Sequence, residues 1–349
     1  MSKNAPASHL ASRSKKILGV LLRVALVLLA FFLLYTTLRQ TNADILQDLK
    51  KANHFLLAVI AISFGIIFLL SAFRWKMLMD VQGMRLPFLA LLKLTMTGAF
   101  FSLFIPGVVS GDVVKIAYAK QAFPGRITEI TLTVILDRIL GLAGLFVTAF
   151  LITLISLPTL WPLFHSYPQL LWGVLAVNIG CLGVLLLYLF YRCRPLLQRI
   201  GFIRKGGQKV ARLLPAFFTN VLQRFFSALD LYHKNQRVLF YHLSISAFIH
   251  FFFGICYFGI GKALHETVMT FQQYQITMQL SNASGIIPAT PGGIGLRDLI
   301  GSIFFKVFQA SPREVCGSIP VSYTLLILFW AAVCGLVFMF STNLKQYRK

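Results

Sequence analysis

The sequence predicts an all-α fold: a polytopic membrane helix bundle of about six full spans plus two re-entrant broken-helix hairpins in an inverted repeat. Three observations predict it. The chain is 57% hydrophobic and 12% charged, with a mean hydropathy of +0.77, too little polarity to cover a water-facing surface. Apolar stretches recur at the length of roughly 20 residues that a spanning helix needs. Two Pro/Gly-rich motifs that carry acids interrupt apolar sequence, one in each half, where a membrane helix tolerates neither feature.

Taken in order, Met1 to Lys16 is a basic, polar tail. The apolar run at 17–38 is not followed by a small-residue cleavage site, so it reads as an uncleaved first helix. Further apolar segments lie at 55–73, 88–105, 130–157, 170–191, 238–261, 276–290, 294–309 and 319–341. Those at 276–290 and 294–309 are too short to cross alone. A basic tail closes the chain at 342–349. No Gly/Ser linker divides it, so 17–341 reads as one membrane domain with two repeat halves.

Loop charge sets the topology. The N-terminal tail carries Lys3, Arg13, Lys15 and Lys16; the stretch 192–237 carries ten Lys/Arg against Asp230; the C-terminus carries Lys345, Arg348 and Lys349. All three belong on the cytoplasmic side, and the loop 158–169, free of Lys, Arg, Asp and Glu, belongs outside. These assignments agree only if 88–105 enters from the cytoplasm, breaks at Pro106-Gly107 and returns by 126. The same parity makes 276–309 a hairpin entering from the outside. Broken segments entering from opposite faces are the signature of an inverted repeat. Between them, Val210, Leu214, Phe217, Val221, Phe225 and Leu229 recur every three or four residues. This predicts an amphipathic cytoplasmic helix over about 207–230, either on the membrane surface or packed on the bundle.

Several classes are excluded or disfavoured. The formal charge of +23 sits mostly in loops, so anionic lipid headgroups explain it better than nucleic acid. Cys181, Cys193, Cys256, Cys316 and Cys334 lack C-x-x-C spacing and read as structural thiols. The seven histidines do not cluster; His242 and His250 share a helix face and read as packed residues. There is no G-x-S-x-G, P-loop or H-E-x-x-H, so no catalytic set, metal or cofactor is expected. The protein reads as a non-enzyme.

The chemistry concentrates in the interruptions. The first motif runs Ile105-Pro106-Gly107-Val108-Val109-Ser110-Gly111-Asp112-Val113-Val114-Lys115, and the second runs Ile287-Pro288-Ala289-Thr290-Pro291-Gly292-Gly293-Ile294-Gly295-Leu296-Arg297-Asp298. Backbone groups freed by a break find no partner in hydrocarbon, so such segments lie inside protein or line a wet cavity. A half-helix starting after Gly111 or Gly295 would offer free N–H groups and a positive dipole end to a phosphate or carboxylate. Asp112 and Lys115 are spaced to pair, and Asp112 also suits a helix cap. Asp137-Arg138 lies within an apolar span, where each charge costs on the order of 2.5–3.5 kcal/mol. The two are expected to face the interior, as a structural ion pair or as a contact to a lipid phosphate. Arg297 and Asp298 point about 100° apart and cannot serve one partner equally. Ser281 and Asn282 would add polar lining. Arg74, Lys76 and Arg85 read as topological anchors, and Trp161 and Trp172 as interfacial ones.

On Gly111-Asp112 with a basic residue three on, Asp137-Arg138, and Pro291-Gly292-Gly293-Ile294-Gly295-Leu296-Arg297-Asp298, the chain resembles the lysylphosphatidylglycerol synthase transmembrane-region, or flippase-like, family. The resemblance runs from about 17 to 341. Lys115 stands where arginine is common in the family, and Asp137 and Asp298 where glutamate is common; the shorter acids point to a different headgroup. Bifunctional relatives carry a cytosolic aminoacyl-transfer domain. None is read here, so lysyl transfer is not expected. The resemblance implies translocation of lipid between leaflets of a bacterial inner membrane, with both termini cytoplasmic. The expected ligand is a phospholipid or polyprenyl-phosphate lipid, held by Arg138, Arg297 and Lys115, with Asp112, Asp137 and Asp298 tuning those cations or binding an amine or proton. The alternatives are a membrane-embedded transferase acting on lipid substrates and a non-catalytic partner of an envelope-lipid synthase. A synthase partner or homo-oligomer is the expected company.

Overall fold

The computed structural model describes residues 28, 29, 31–41, 43–104, 110–197, 231, 232, 234–287 and 290–340. Pro106-Gly107, Pro288-Ala289 and the segment 207–230 lie outside the described residues. Among the described residues every regular element is helical. A helical run at 31–41 (α1) is followed by α2 (Ile45–Lys51), α3 (His54–Val81), α4 (Phe88–Phe104), α5 (Ser110–Ala122), α6 (Ile127–Ser166) and α7 (Pro168–Leu197). The second half holds α8 (Gln236–Ala263), α9 (Phe271–Ser284), a 3-10 turn at Pro291–Gly293, α10 (Leu296–Val307) and α11 (Val315–Phe340).

Length sorts these helices into two kinds. Five of them, α3, α6, α7, α8 and α11, are long and apolar enough to cross a membrane. Four are not. At 1.5 Å per residue, α4, α5, α9 and α10 reach about 25, 20, 21 and 18 Å, short of the hydrocarbon thickness of roughly 30 Å. They fall into two pairs, α4 with α5 and α9 with α10, and each pair packs together. Around them the bundle turns apolar side chains outward: Ile62, Phe73, Ile179, Leu182, Phe248, Phe329 and Met339 are all exposed. An exterior of this kind suits lipid rather than water.

Helix α8 lies at the centre, packed on α3, α6, α9 and α11. Its Tyr257 ring meets Tyr274 of α9, Phe305 of α10 and Tyr323 of α11, with centroids 6.5, 5.3 and 5.4 Å away. The α8–α9 connection is fixed by one carboxylate. Glu266 Oε1 accepts from the Val268 and Met269 amides, and Oε2 accepts from the Tyr274 hydroxyl. Helix α9 then starts at a capping box: Thr270 Oγ1 accepts from the Gln273 amide, and Gln273 Oε1 accepts from the Thr270 amide. This places the helix start at Phe271, ahead of the apolar run at 276. The run misses the first turn because Phe271-Gln272-Gln273-Tyr274-Gln275 is polar in composition, although Tyr274 and Gln275 are buried.

Two expectations need correction. The segment 158–169 is not a loop. Helix α6 continues through Pro158 and Pro162 to Ser166, and the only non-helical residue before α7 is Tyr167, extended at φ −133° and ψ 80°. The prolines stand four apart, so the two missing N–H donors fall on one helix face, and Pro168 forces the preceding residue out of the helical region. Helix α3, in turn, runs to Val81 instead of ending near 73. The extension carries Arg74 and Trp75 into the packed part of the bundle.

Candidate functional site

The pairing of α4 with α5 brings the first motif inward. The helices cross where Gly98 faces Gly111: a Cβ on Gly111 would lie 2.0 Å from the Gly98 carbonyl oxygen and 2.1 Å from Ser102 Oγ. Only glycine permits this approach. It sets Asp112 and Lys115, in the first turns of α5, against α6 and α3. The Asp112 carboxylate is buried and accepts from Arg138 Nε at 2.6 Å. Lys115 does not pair with Asp112, as its spacing had suggested. Its Nζ stands 5.2 Å over the Trp75 ring, and Trp75 is held by an Nε1 donation to Thr133 Oγ1 at 3.1 Å. Among the described residues no carboxylate lies within ion-pair distance of Lys115.

Asp137, next to Arg138 on α6, faces another way. Arg74 Nη2 donates to Asp137 Oδ2 at 3.1 Å, and Arg74 Nε lies 2.9 Å from Oδ1. His242 Nε2 meets Oδ1 at 3.0 Å. Arg74 Nη1 donates to Ser246 Oγ at 2.9 Å. Gly141 leaves space for this guanidinium; a Cβ there would sit 3.1 Å from Nη1. The group therefore holds Arg74, Lys115 and Arg138 against Asp112 and Asp137. With Lys115 charged and His242 neutral, one positive charge is left over. Arg138 is also the member that reaches outward, with 48% of its side chain exposed.

The second motif forms a separate group. Gly292, Gly293 and Gly295 have φ of +60°, +75° and +83°, a region that side chains with a Cβ rarely adopt. They turn the chain from the buried Pro291 into α10. Asp298 reaches back to accept from the Gly295 amide at 2.8 Å. The protein's own carboxylate thus occupies the helix start where a ligand anion was expected. The Thr324 hydroxyl donates to Asp298 Oδ1 at 2.7 Å and accepts from Arg297 Nη2 at 3.1 Å. Arg297, also buried, lies 5.1 Å over the Tyr323 ring. Its Nε and Asn282 Nδ2 have no hydrogen-bond partner among the described residues. The hydroxyls of Ser281 and Tyr257 converge on Gly301, where a Cβ would lie 3.1 and 2.5 Å from them.

The predicted residues are therefore brought into two groups rather than one. Gly111, Asp112, Lys115, Asp137 and Arg138 form the first. Ser281, Asn282, Pro291, Gly292, Gly293, Gly295, Arg297 and Asp298 form the second. Along α8 the groups are separated by the run from His242 to Tyr257, about 22 Å of helix. Between them Gln279 Nε2 donates to the His250 carbonyl and Gln275 Nε2 to that of Phe251, each at 3.0 Å. The two hairpins still touch: the turn at Pro291–Gly293 packs on α4, with Gly292 against Leu103.

Sequence reasoning missed Arg74, Trp75, His242, Ser246, Tyr257, Tyr323 and Thr324. The available signal for Arg74 was the apolar sequence continuing past it, Met77-Leu78-Met79 to Val81. For His242 and Ser246 it was their four-residue spacing on one face of α8. The thiols of Cys181, Cys256, Cys316 and Cys334 are free; the Cys193 side chain lies outside the described residues.

No curated protein matches the chain. The family model described as Lysylphosphatidylglycerol synthase TM region matches residues 20–335, which takes in nearly the whole chain and every member of both groups. The protein is thus a multi-pass membrane protein that belongs to the lysylphosphatidylglycerol synthase TM region family.

Proposed function

We propose that the protein is a lipid translocase-like membrane protein that moves a phosphate-bearing lipid headgroup between leaflets without changing it covalently. The observation that carries this reading is the uncompensated positive charge of the first group. Three cations and two carboxylates are held between α3, α5, α6 and α8, and an excess charge set among packed helices, only partly open to its surroundings, calls for a counter-ion. A phospholipid or polyprenyl-phosphate headgroup supplies one. Arg138 and Lys115 are the contacts, Asp112 positions Arg138, and the half-exposed Arg138 guanidinium is the point of entry. Arg297, with its unpartnered Nε, is a second phosphate contact further along α8.

In this reading the short-helix pairs are re-entrant hairpins entering from opposite faces of a bacterial inner membrane, with both termini cytoplasmic. The positive-inside distribution of loop charge supports that arrangement. The glycine turn at the start of α10 allows that half-helix to rearrange.

A leaflet-resolved assay in proteoliposomes tests the proposal, using tail-labelled phosphatidylglycerol and polyprenyl phosphate as probes. Wild-type protein should accelerate exchange of at least one probe between leaflets, and Lys115→Met and Arg138→Gln should each reduce that rate about tenfold or more, the effect of losing about 1.4 kcal/mol of charge-assisted contact. Exchange no faster than in protein-free vesicles for both probes would sink the reading. So would equal rates for wild type and both variants.

A further inference from the structure

We infer that His242 is a proton-binding site whose occupancy is tied to the anion held by the first group, so that protonation of the ring and binding of a net-anionic headgroup favour each other. The inference rests on the reading of that group as an anion site. It starts from a count of hydrogen-bond donors and acceptors. Asp137 is ion-paired with Arg74, whose Nη2 donates to Oδ2, so the proton in its contact with His242 belongs to the ring: Nε2–H donates to Oδ1 at 3.0 Å. That leaves Nδ1 with a bare lone pair. Its neighbour is Ser246 Oγ at 3.3 Å. The Ser246 hydroxyl also reaches the His242 carbonyl oxygen, 2.7 Å away, and its Oγ accepts from Arg74 Nη1 at 2.9 Å; its single proton serves Nδ1 or the carbonyl, not both.

With the ring neutral, Nδ1 is satisfied when the Ser246 hydroxyl turns from the carbonyl to the ring across 3.3 Å. A hydroxyl oxygen has two lone pairs, and Arg74 uses one. A proton on Nδ1 would be donated to the second, and every donor and acceptor around the ring would then be matched. The surroundings thus accommodate both states of the ring: the neutral one when the hydroxyl turns to Nδ1, and the imidazolium when it turns to the carbonyl.

Charge decides when that proton is present. The charged groups that bear on His242 are Arg74 from α3 and Asp137 from α6. Helices α9 and α11, which also pack on α8, contain no Asp, Glu, Lys, Arg or His. On α8 itself His250 lies two turns further along. An imidazolium would raise the surplus of the group from one positive charge to two, which is costly inside a bundle. A bound phosphate offsets it. Proton and anion therefore favour each other, and the coupling is reciprocal: each raises the affinity of the site for the other by the same factor.

The test reads the ring directly, without any movement of lipid. The full chain, with 15N-labelled histidine, is placed in nanodiscs of phosphatidylglycerol, of phosphatidylcholine, and of phosphatidylcholine with free glycerol phosphate. The ring nitrogens of His242 are followed by NMR over a pH titration. Their resonances are identified by loss in His242→Gln and, independently, by displacement in Ser246→Ala. In phosphatidylglycerol the ring should bind its second proton at a pH higher by about one unit or more than in phosphatidylcholine, the shift that a tenfold linkage produces. The same rise with free glycerol phosphate would support the coupling and assign the anion to a soluble source; a rise confined to phosphatidylglycerol would support it and assign a lipid. An identical midpoint in all three media overturns the inference, as does a ring that stays neutral throughout the titration in all three. Translocation can fail while this linkage holds, and the reverse, so the two proposals are separable.

Discussion

Replacing Asp137 by asparagine leaves Arg74 in the bundle without its counter-charge. The structure sets the scale of the damage. Arg74 and Asp137 side chains are 13% and 9% exposed, and their atoms approach to 2.9 Å. Opposite charges about 4 Å apart attract by about 4 kcal/mol at an effective dielectric constant of 20, and breaking a buried pair by removing one member typically costs about 3–5 kcal/mol. Asp137→Asn should therefore lose about 3–5 kcal/mol of unfolding free energy. The double variant Arg74→Met with Asp137→Leu removes both charges and keeps comparable volume, so it should recover most of the loss. The assay is reversible unfolding in mixed micelles or nanodiscs, run as a complete double-mutant cycle. A loss below about 1 kcal/mol for Asp137→Asn would refute the reasoning. A double variant no more stable than the single one would refute it equally, because the penalty would then not lie in an orphaned charge.

Two further outcomes follow from contacts rather than charge. Gly111→Ala drives a Cβ into the Gly98 carbonyl and Ser102 Oγ and should destabilise by about 1–3 kcal/mol. Gly183→Ala meets nothing within 4 Å and should be neutral or stabilise by up to about 1 kcal/mol; equal unfolding midpoints for the two variants would contradict the helix crossing. Thr324→Val keeps the shape of the side chain but removes the hydroxyl between Arg297 and Asp298. It should cost about 1–3 kcal/mol, while Thr324→Ser should restore most of it; a valine variant as stable as the serine variant in the same measurement would show that the bridge contributes nothing.

Much of this architecture is legible in the sequence because hydrocarbon imposes simple demands. Apolar runs, helix-breaking motifs and intramembrane charges are each conspicuous, and they lead to the helix pairs and to Asp112, Lys115, Asp137, Arg138, Arg297 and Asp298. What is not legible is partnership. Nothing in the spacing says that Asp112 joins Arg138 and not Lys115, because that choice is made by the Gly98–Gly111 crossing, a tertiary contact. Arg74 looks like an anchor at a span's end until α3 is seen to run on to Val81. His242 and Thr324 are single polar residues in apolar helices. Their significance depends on which helix faces them. The segment 158–169 misleads in the opposite direction: it reads as an uncharged loop, but α6 runs through Pro158 and Pro162 to Ser166.

The contact between Gly292 and Leu103 makes the two halves of the protein sterically interdependent. A Cβ at position 292 would lie 2.7 Å from Leu103 Cδ1, so side chain and backbone meet there with no layer of lipid or water between them. The turn of the second hairpin thus rests against the last helical turn of α4, and α4 in turn locks onto α5 at Gly98 and Gly111. A shift of the turn at Pro291–Gly293 toward α4 meets Leu103 first. The glycine at 292 therefore does more than allow a left-handed turn: it sets how closely the turn of the second pair can approach α4.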